Sequence, residues 1–249
     1  FEVVSRETPG VVKPRNFQLA DALKDASALA VADLKGRHEK TYFAEKKHKV
    51  DGTFVVKDGG GWPVNFVSSG DRLELVGGST LTFVNNANYF RFYSPDSVVL
   101  IDDSVFSCNV PIHLNDAASD WTTWRFAGEG PLLEAKGGCS VQGAGGAKLV
   151  FDAPKGGFAV APLKVSGSML ATCNGPVEIS VPDKALVWKG SSCVFPLIDA
   201  PAGINTNNVT FSTGRRTNGT FIWTTTEGVA NPTGLKFKAR VNGMLLFVR

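Results

Sequence analysis

Asp102 and Asp103 stand side by side in the stretch IDDS. Carboxylates are the groups that protonate a glycosidic oxygen, activate water or ligate calcium. Successive side chains of an extended chain face opposite sides, so only one of this pair can serve a given site. They are the only metal-ligand candidates the spacing offers. The histidines add little general-base chemistry. His38 and His48 lie among alternating charges in RHEKTYFAEKKHK, and His113 falls between Ile112 and Leu114 in PIHLND, which turns it to the outer face of a strand. HEKTY lacks the second histidine of a zinc-binding helix, and neither a G-x-S-x-G nucleophile turn nor a G-x-x-x-x-G-K-[ST] phosphate loop occurs. The sequence therefore assigns no catalytic residue and no cofactor.

Binding chemistry is better represented. In SDWTTWRFAGEGP, strand alternation sends Trp124 and Phe126 inward, and Trp121, Thr123 and Arg125 outward. Trp121 beside Arg125 is then a platform for a sugar ring or a partner's side chain. NYFRFYS buries Phe90 and Phe92 and presents Tyr89, Arg91 and Tyr93, aromatics flanking a cation. LKFKARV buries Leu235, Phe237, Ala239 and Val241 and exposes Lys236, Lys238 and Arg240. This basic stripe either protects a terminal strand from edge pairing or receives an anionic ligand. Arg215 and Arg216 add charge on a turn. Asn208-Val-Thr and Asn218-Gly-Thr match the glycan acceptor pattern of a eukaryotic host.

Cys108, Cys139, Cys173 and Cys193 are even in number, with no C-x-x-C and no nearby histidine, which suits disulfides in an oxidising compartment rather than zinc. The alternative is four buried free thiols. Net charge is only +3 and the 26 basic residues form no long run, so nucleic acid is not an expected partner. No apolar stretch approaches the roughly 20 residues of a membrane helix. The start, FEVVSRETPG, has neither an initiator Met nor a basic-then-apolar leader, as expected of a chain whose leader has been removed.

These side chains must be held by two kinds of structure, because the composition changes near KDGGGWP. Residues 1–58 carry 20 charged side chains, and the 191 residues that follow carry 29. In the first part, NFQLADALKDASALAVADLKG places Phe17, Ala20, Leu23, Ala30, Val31 and Leu34 at three- and four-residue intervals between Asn16 as N-cap and Gly36 as stop. That spacing predicts an amphipathic helix. After residue 58 the period becomes two: Leu73 and Leu75, Leu81 and Phe83, Phe90 and Phe92, Leu149 and Phe151, Val177, Ile179 and Val181. GG, SPD, APK, VPD and NPTG separate these short strands.

Many short strands fit a β-solenoid, a β-sandwich or jelly roll, or a barrel. A coiled sheet exposes core and strand edges at its ends, and the N-terminal helix suits the task of capping one. No fixed period of 20 to 50 residues is evident. The stretch TWRFAGEGPLLEAKGGCSVQGAGGAKLVFDAP resembles the glycine-punctuated strand repeats of autotransporter passenger domains and related bacterial surface proteins. The ending GLKFKARVNGMLLFVR, with VNG as a hairpin turn, is similar in style to their last strands. The resemblance implies a right-handed parallel β-helix on or outside a bacterial cell.

The expectation is an all-β protein. A charged segment with a capping α-helix (1–58) precedes a right-handed parallel β-solenoid (59–249), with a β-sandwich or jelly roll as the alternative. The expected function is structural or adhesive: secreted or surface-displayed, self-assembling or binding a surface glycan or protein, and with no prepared cavity for chemistry. The rivals are a carbohydrate-active β-helix, lyase or hydrolase, and a jelly-roll virion or lectin-like module. The G-H-G and R-I-K companions of polygalacturonases are missing.

Overall fold

The computed structural model describes residues 72–85, 89–92, 96–117, 119–167, 174–182, 192–215 and 217–240, with strand backbones at 2–3, 11–13, 29–33, 41–43, 47–50, 53–58 and 64–66. Among these the chain is all β. The first strands are β1 (Glu2–Val3), β2 (Val11–Lys13), β3 (Leu29–Asp33), β4 (Thr41–Phe43), β5 (Lys47–Val50), β6 (Thr53–Asp58), β7 (Val64–Phe66) and β8 (Arg72–Leu75). Then come β9 (Thr80–Asn85), β10 (Phe90–Phe92), β11 (Val98–Asp102), β12 (Val105–Cys108), β13 (Ile112–Asn115), β14 (Thr122–Ala127), β15 (Leu132–Ala135) and β16 (Cys139–Val141). The last are β17 (Ala147–Asp152), β18 (Leu163–Val165), β19 (Val177–Val181), β20 (Ser192–Asp199), β21 (Val209–Thr213), β22 (Asn218–Thr224) and β23 (Gly234–Arg240).

From β4 to β17 the chain visits three sheets in rotation. Sheet I has seven strands in the order β21-β19-β17-β14-β11-β8-β5. Sheet II has eleven, β1-β2-β3-β6-β9-β12-β15-β18-β20-β23-β22, and sheet III has five, β16-β13-β10-β7-β4. Every pair within sheets I and III is parallel. This is a β-solenoid; a sandwich or jelly roll would need antiparallel sheets. Strands on both sides of residue 58 share the same sheets.

A period does exist. Lys47, Arg72, Val98, Thr123 and Lys148 are register partners, one coil above the next, at intervals of 25, 26, 25 and 25 residues. The next steps, to Glu178 and Thr210, take 30 and 32. Inward positions stack into apolar columns: Leu73, Val99, Trp124, Leu149 and Ile179 in sheet I, and Leu81, Phe106, Leu133 and Leu163 in sheet II. All nine are buried. Aromatic rings pack between and within coils, as where Phe126 lies on Phe151 with centroids 4.9 Å apart and planes at 12°.

The corners are fixed by polar groups and by backbone that only certain residues adopt. Between sheets I and II, Gly77 (φ 66°), Asp103 (φ 47°) and Gly128 (φ 85°) form a left-handed column. A Cβ on Gly128 would run into the Asp103 carboxyl group, 2.4 Å away. Between sheets III and I, Asn115 is fully buried. Its Nδ2 donates to the Asp120 carbonyl (2.9 Å) and the Gly146 carbonyl (2.7 Å), and its Oδ1 accepts from the Ala117 N–H (2.8 Å). The register of β13 slips between His113 and Asn115, and the Leu114 carbonyl accepts from Thr122 Oγ1 (2.6 Å) and Trp124 Nε1 (3.0 Å).

Two sequence expectations are corrected here. The helix predicted from Asn16 to Gly36 does not include Leu29–Asp33, which is strand β3, parallel to β2 and β6. LAVAD alternates as well as it spirals, and pairing across coils outweighs the weak helical propensity of a five-residue run. Residues 16–28, and hence the rest of the proposed cap, lie outside the described residues. The disulfide expectation also fails: Cys108, Cys139 and Cys193 are free thiols, and Cys173 lies outside the described residues. Cys108 and Cys139 occupy inward strand positions where a small apolar side chain fills the core. Burial pushes the Cys108 thiol up to about 12 and raises Cys139 further, so neither ionises readily.

Candidate functional site

Trp124 is core, with no exposed surface. Trp121 is half-buried: its indole lies over Gly146 of the next coil, where a Cβ would come within 2.5 Å of the ring, and Lys148 Nζ sits 5.3 Å from the ring centroid. The Arg125 guanidinium binds the buried carboxylate of Asp152 one coil on. The platform expected from Trp121 with Arg125 is thus divided between two inter-coil contacts.

Tyr89 and Arg91 do come together on the outer face of sheet III. Tyr89 stacks on His113 (centroids 4.3 Å, planes 15°), and Arg91 lies 5.3 Å over the Tyr89 ring while its Nη1 meets Asp116 Oδ2 at 2.7 Å. Tyr93 lies outside the described residues. His113 faces outward as its spacing predicts, but the stacked tyrosine covers it. Burial lowers its pKa below the usual 6.5 more than Asp116, with Nδ1 3.6 Å from Oδ2, raises it, and Arg91 lowers it further. The unfolded chain therefore takes up a proton that the folded chain resists. Stability contributed by the neutral imidazole is complete above about pH 6.5 and is lost as pH falls through that value. Melting temperatures measured across this range should fall less steeply for His113→Phe, which keeps a ring under Tyr89, than for the native chain; equal slopes would count against this account.

The third candidate, the basic stripe, is where an open site forms. Lys236, Lys238 and Arg240 face outward as alternation predicts. However, β23 is not a terminal strand: it runs antiparallel between β20 and β22. Protection of an edge is therefore not its role. Register places Lys236 between Pro196 and Ile222, and Lys238 between Val194 and Thr220. Val194 and Ile222 are 51% and 37% exposed, and Val160 nearby is 53% exposed, which makes this face the main concentration of large apolar side chains in water among the described residues. None of Lys164, Lys236 and Lys238 forms an ion pair among the described residues.

A cleft of about 490 Å³ opens on this face. Its lining includes the bulge of β20. Pro196 pairs with Lys236 and Ile198 with Leu235, so Leu197 is extra; both Leu197 and Ile198 turn inward, and Asp199 is returned to the outer face. Lys164 and Lys236 line the cleft with Asp199, Pro196 and a threonine wall of Thr224, Thr225, Thr226 and Thr233. That wall is pinned by the Thr226–Thr233 hydroxyl contact (2.8 Å) and by the Thr233 N–H donating to the Thr224 carbonyl (2.8 Å).

The remaining candidates are structural or scattered. Asp103 accepts from the backbone N–H groups of Glu129 and Gly130 (2.9 Å for the latter), which commits its carboxylate to the corner above. Asp102 ends β11, outward and half-buried. Among the described residues no three His, Cys, Asp or Glu side chains converge to hold a metal ion. Nor is any helix there long and apolar enough to cross a membrane. Sequence reasoning missed Lys164, Asp199, Val194 and Ile222. Their alternation was readable, but their neighbourhood depends on the antiparallel return of β23. No protein-family model, curated protein or solved structure matches this chain.

Proposed function

We propose that this protein is a non-catalytic structural and adhesive β-solenoid, secreted or displayed on a cell surface in the manner of autotransporter passengers, that works by presenting a contact face to a partner surface. The observation that carries this reading is the outer face of β20, β22 and β23, where Lys236 and Lys238, without an ion pair among the described residues, stand on the middle strand between the water-exposed Val194 and Ile222 of its neighbours. Exposed apolar groups set among cations suit association with an anionic surface better than isolation in solvent. The stacked coils beneath supply stiffness, and the lysines of β23 are held by backbone bonded to β20 on one side and β22 on the other.

The test is adhesion of the purified protein to surfaces coated with acidic or neutral polysaccharide. Retention should favour the acidic surface, fall with added salt, and drop about tenfold or more in a Lys236→Glu, Lys238→Glu double variant that melts like the native chain. Equal retention of native and variant protein would overturn the reading.

A further inference from the structure

We infer that the cleft between the Val160 loop, β20 and the Thr224–Thr233 turn is a binding site for one acidic sugar unit, a pyranose bearing a carboxylate or sulfate. This rests on the adhesive reading and names the chemistry at the centre of its contact face. Three features of the lining converge on that class. Lys164 on β18, in register with Asp199, and Lys236 on β23 set two cations on the strands either side of β20 against a single lining carboxylate, Asp199, which leaves a net positive cleft. Ammonium groups without an ion-pair partner are donors available to an anionic group. The threonine wall and Asp199 supply donors and acceptors for sugar hydroxyls, while Val160 and Pro196 offer apolar surface to the C–H face of a ring.

The cleft has room for more than a bare anion. A cleft of about 490 Å³ is far larger than sulfate or phosphate and lies within the roughly 300–1,000 Å³ range of sites for organic ligands. At Gly234, which lines the cleft, the missing side chain lets the neighbours close in: a Cβ would approach Thr224 Oγ1 to 2.6 Å and the Ile198 carbonyl to 3.0 Å. The β-bulge in the lining is a feature found beside functional sites in general.

The experiment is calorimetric titration of the full chain with tetragalacturonate, with neutral galactotetraose and with inorganic sulfate, together with amide shifts of Thr224–Thr226 and Gly234. Tetragalacturonate should saturate one site and shift those amides, and galactotetraose and sulfate should bind at least about tenfold more weakly. Lys164→Gln and Lys236→Gln should each weaken the tetrasaccharide about tenfold, and Lys238→Gln, which lies on the face but outside the cleft, should change it little. Sulfate binding as tightly as the saccharide, absence of a saturable site, or equal losses from Lys164→Gln and Lys238→Gln would each overturn the assignment. Adhesion to acidic surfaces that persists in those cases, and still depends on Lys236 and Lys238, would leave the adhesive reading standing without the cleft.

Discussion

Trp124→Ala is expected to destabilise the fold by about 4 kcal/mol, the loss typical of removing a fully buried large aromatic side chain. The indole has no exposed surface, packs edge-on to Phe92 at 5.0 Å and parallel to Phe106 at 6.4 Å, and donates Nε1 to the Leu114 carbonyl. The substitution therefore opens a cavity between two coils and also removes a donor from a carbonyl inside the β13 irregularity. Trp124→Phe keeps most of the ring contact and loses the hydrogen bond, so about 1 to 2 kcal/mol is expected. Trp121→Ala, by contrast, removes one half-buried ring over Gly146 and should stay near 1 kcal/mol. Urea unfolding of the three variants tests the order, and a Trp121→Ala as damaging as Trp124→Ala would contradict it.

Asn115→Leu should cost about 3 kcal/mol although it adds apolar volume to a buried position. The amide side chain satisfies three backbone groups that have been removed from water: the carbonyls of Asp120 and Gly146 and the N–H of Ala117. Leucine leaves the Ala117 N–H without its partner and takes one donor from each carbonyl, which keep the backbone N–H groups of Gly146 (3.2 Å) and Thr122 (3.0 Å), and the two carbonyls belong to different coils. The corner should consequently loosen before the sheets do. Hydrogen exchange separates this from simple overpacking, because the Ala117 amide should lose protection in the variant well beyond what the change in global stability accounts for. An unchanged ratio of local to global protection would show that the asparagine is replaceable.

Much of the architecture was readable because β-strand alternation is a local property. Leu73 with Leu75, Leu81 with Phe83 and Val177 with Ile179 and Val181 are buried as their spacing requires. The coil length was not readable, for two physical reasons. The column Leu73, Val99, Trp124, Leu149, Ile179 preserves only apolarity, since a core accepts any shape its neighbours accommodate. The coil that begins at β17 also lengthens before β18, where residues 153–162 stand in place of 128–131 one coil earlier. LAVAD was misread for a related reason: five residues satisfy either period, and only the partner strands decide.

The same division holds for the candidate site. The outward direction of Lys236 and Lys238 followed from alternation within one strand. That Val194, Pro196 and Ile222 surround them, and that a cleft with a bulge in its lining lies beside them, depends on β23 inserting between β20 and β22, a long-range choice with no local marker. Four cysteines invited a pairing argument from their number. The inward positions of Cys108 and Cys139 explain them as packing, which only the register makes visible.

One consequence of the parallel register concerns dimensions. The seven strands of sheet I stand six steps of roughly 4.8 Å apart, about 29 Å along the axis. Each of the regular coils, some 25 residues long, adds one such step. Distance along the molecule is therefore graduated like a ruler, and a duplication or deletion of one whole coil would move whatever lies above it by a single mark without altering its profile. The hairpin of β22 and β23 closes the scale, because the reversed direction of β23 against β20 interrupts the parallel ladder of sheet II on which another coil would be laid.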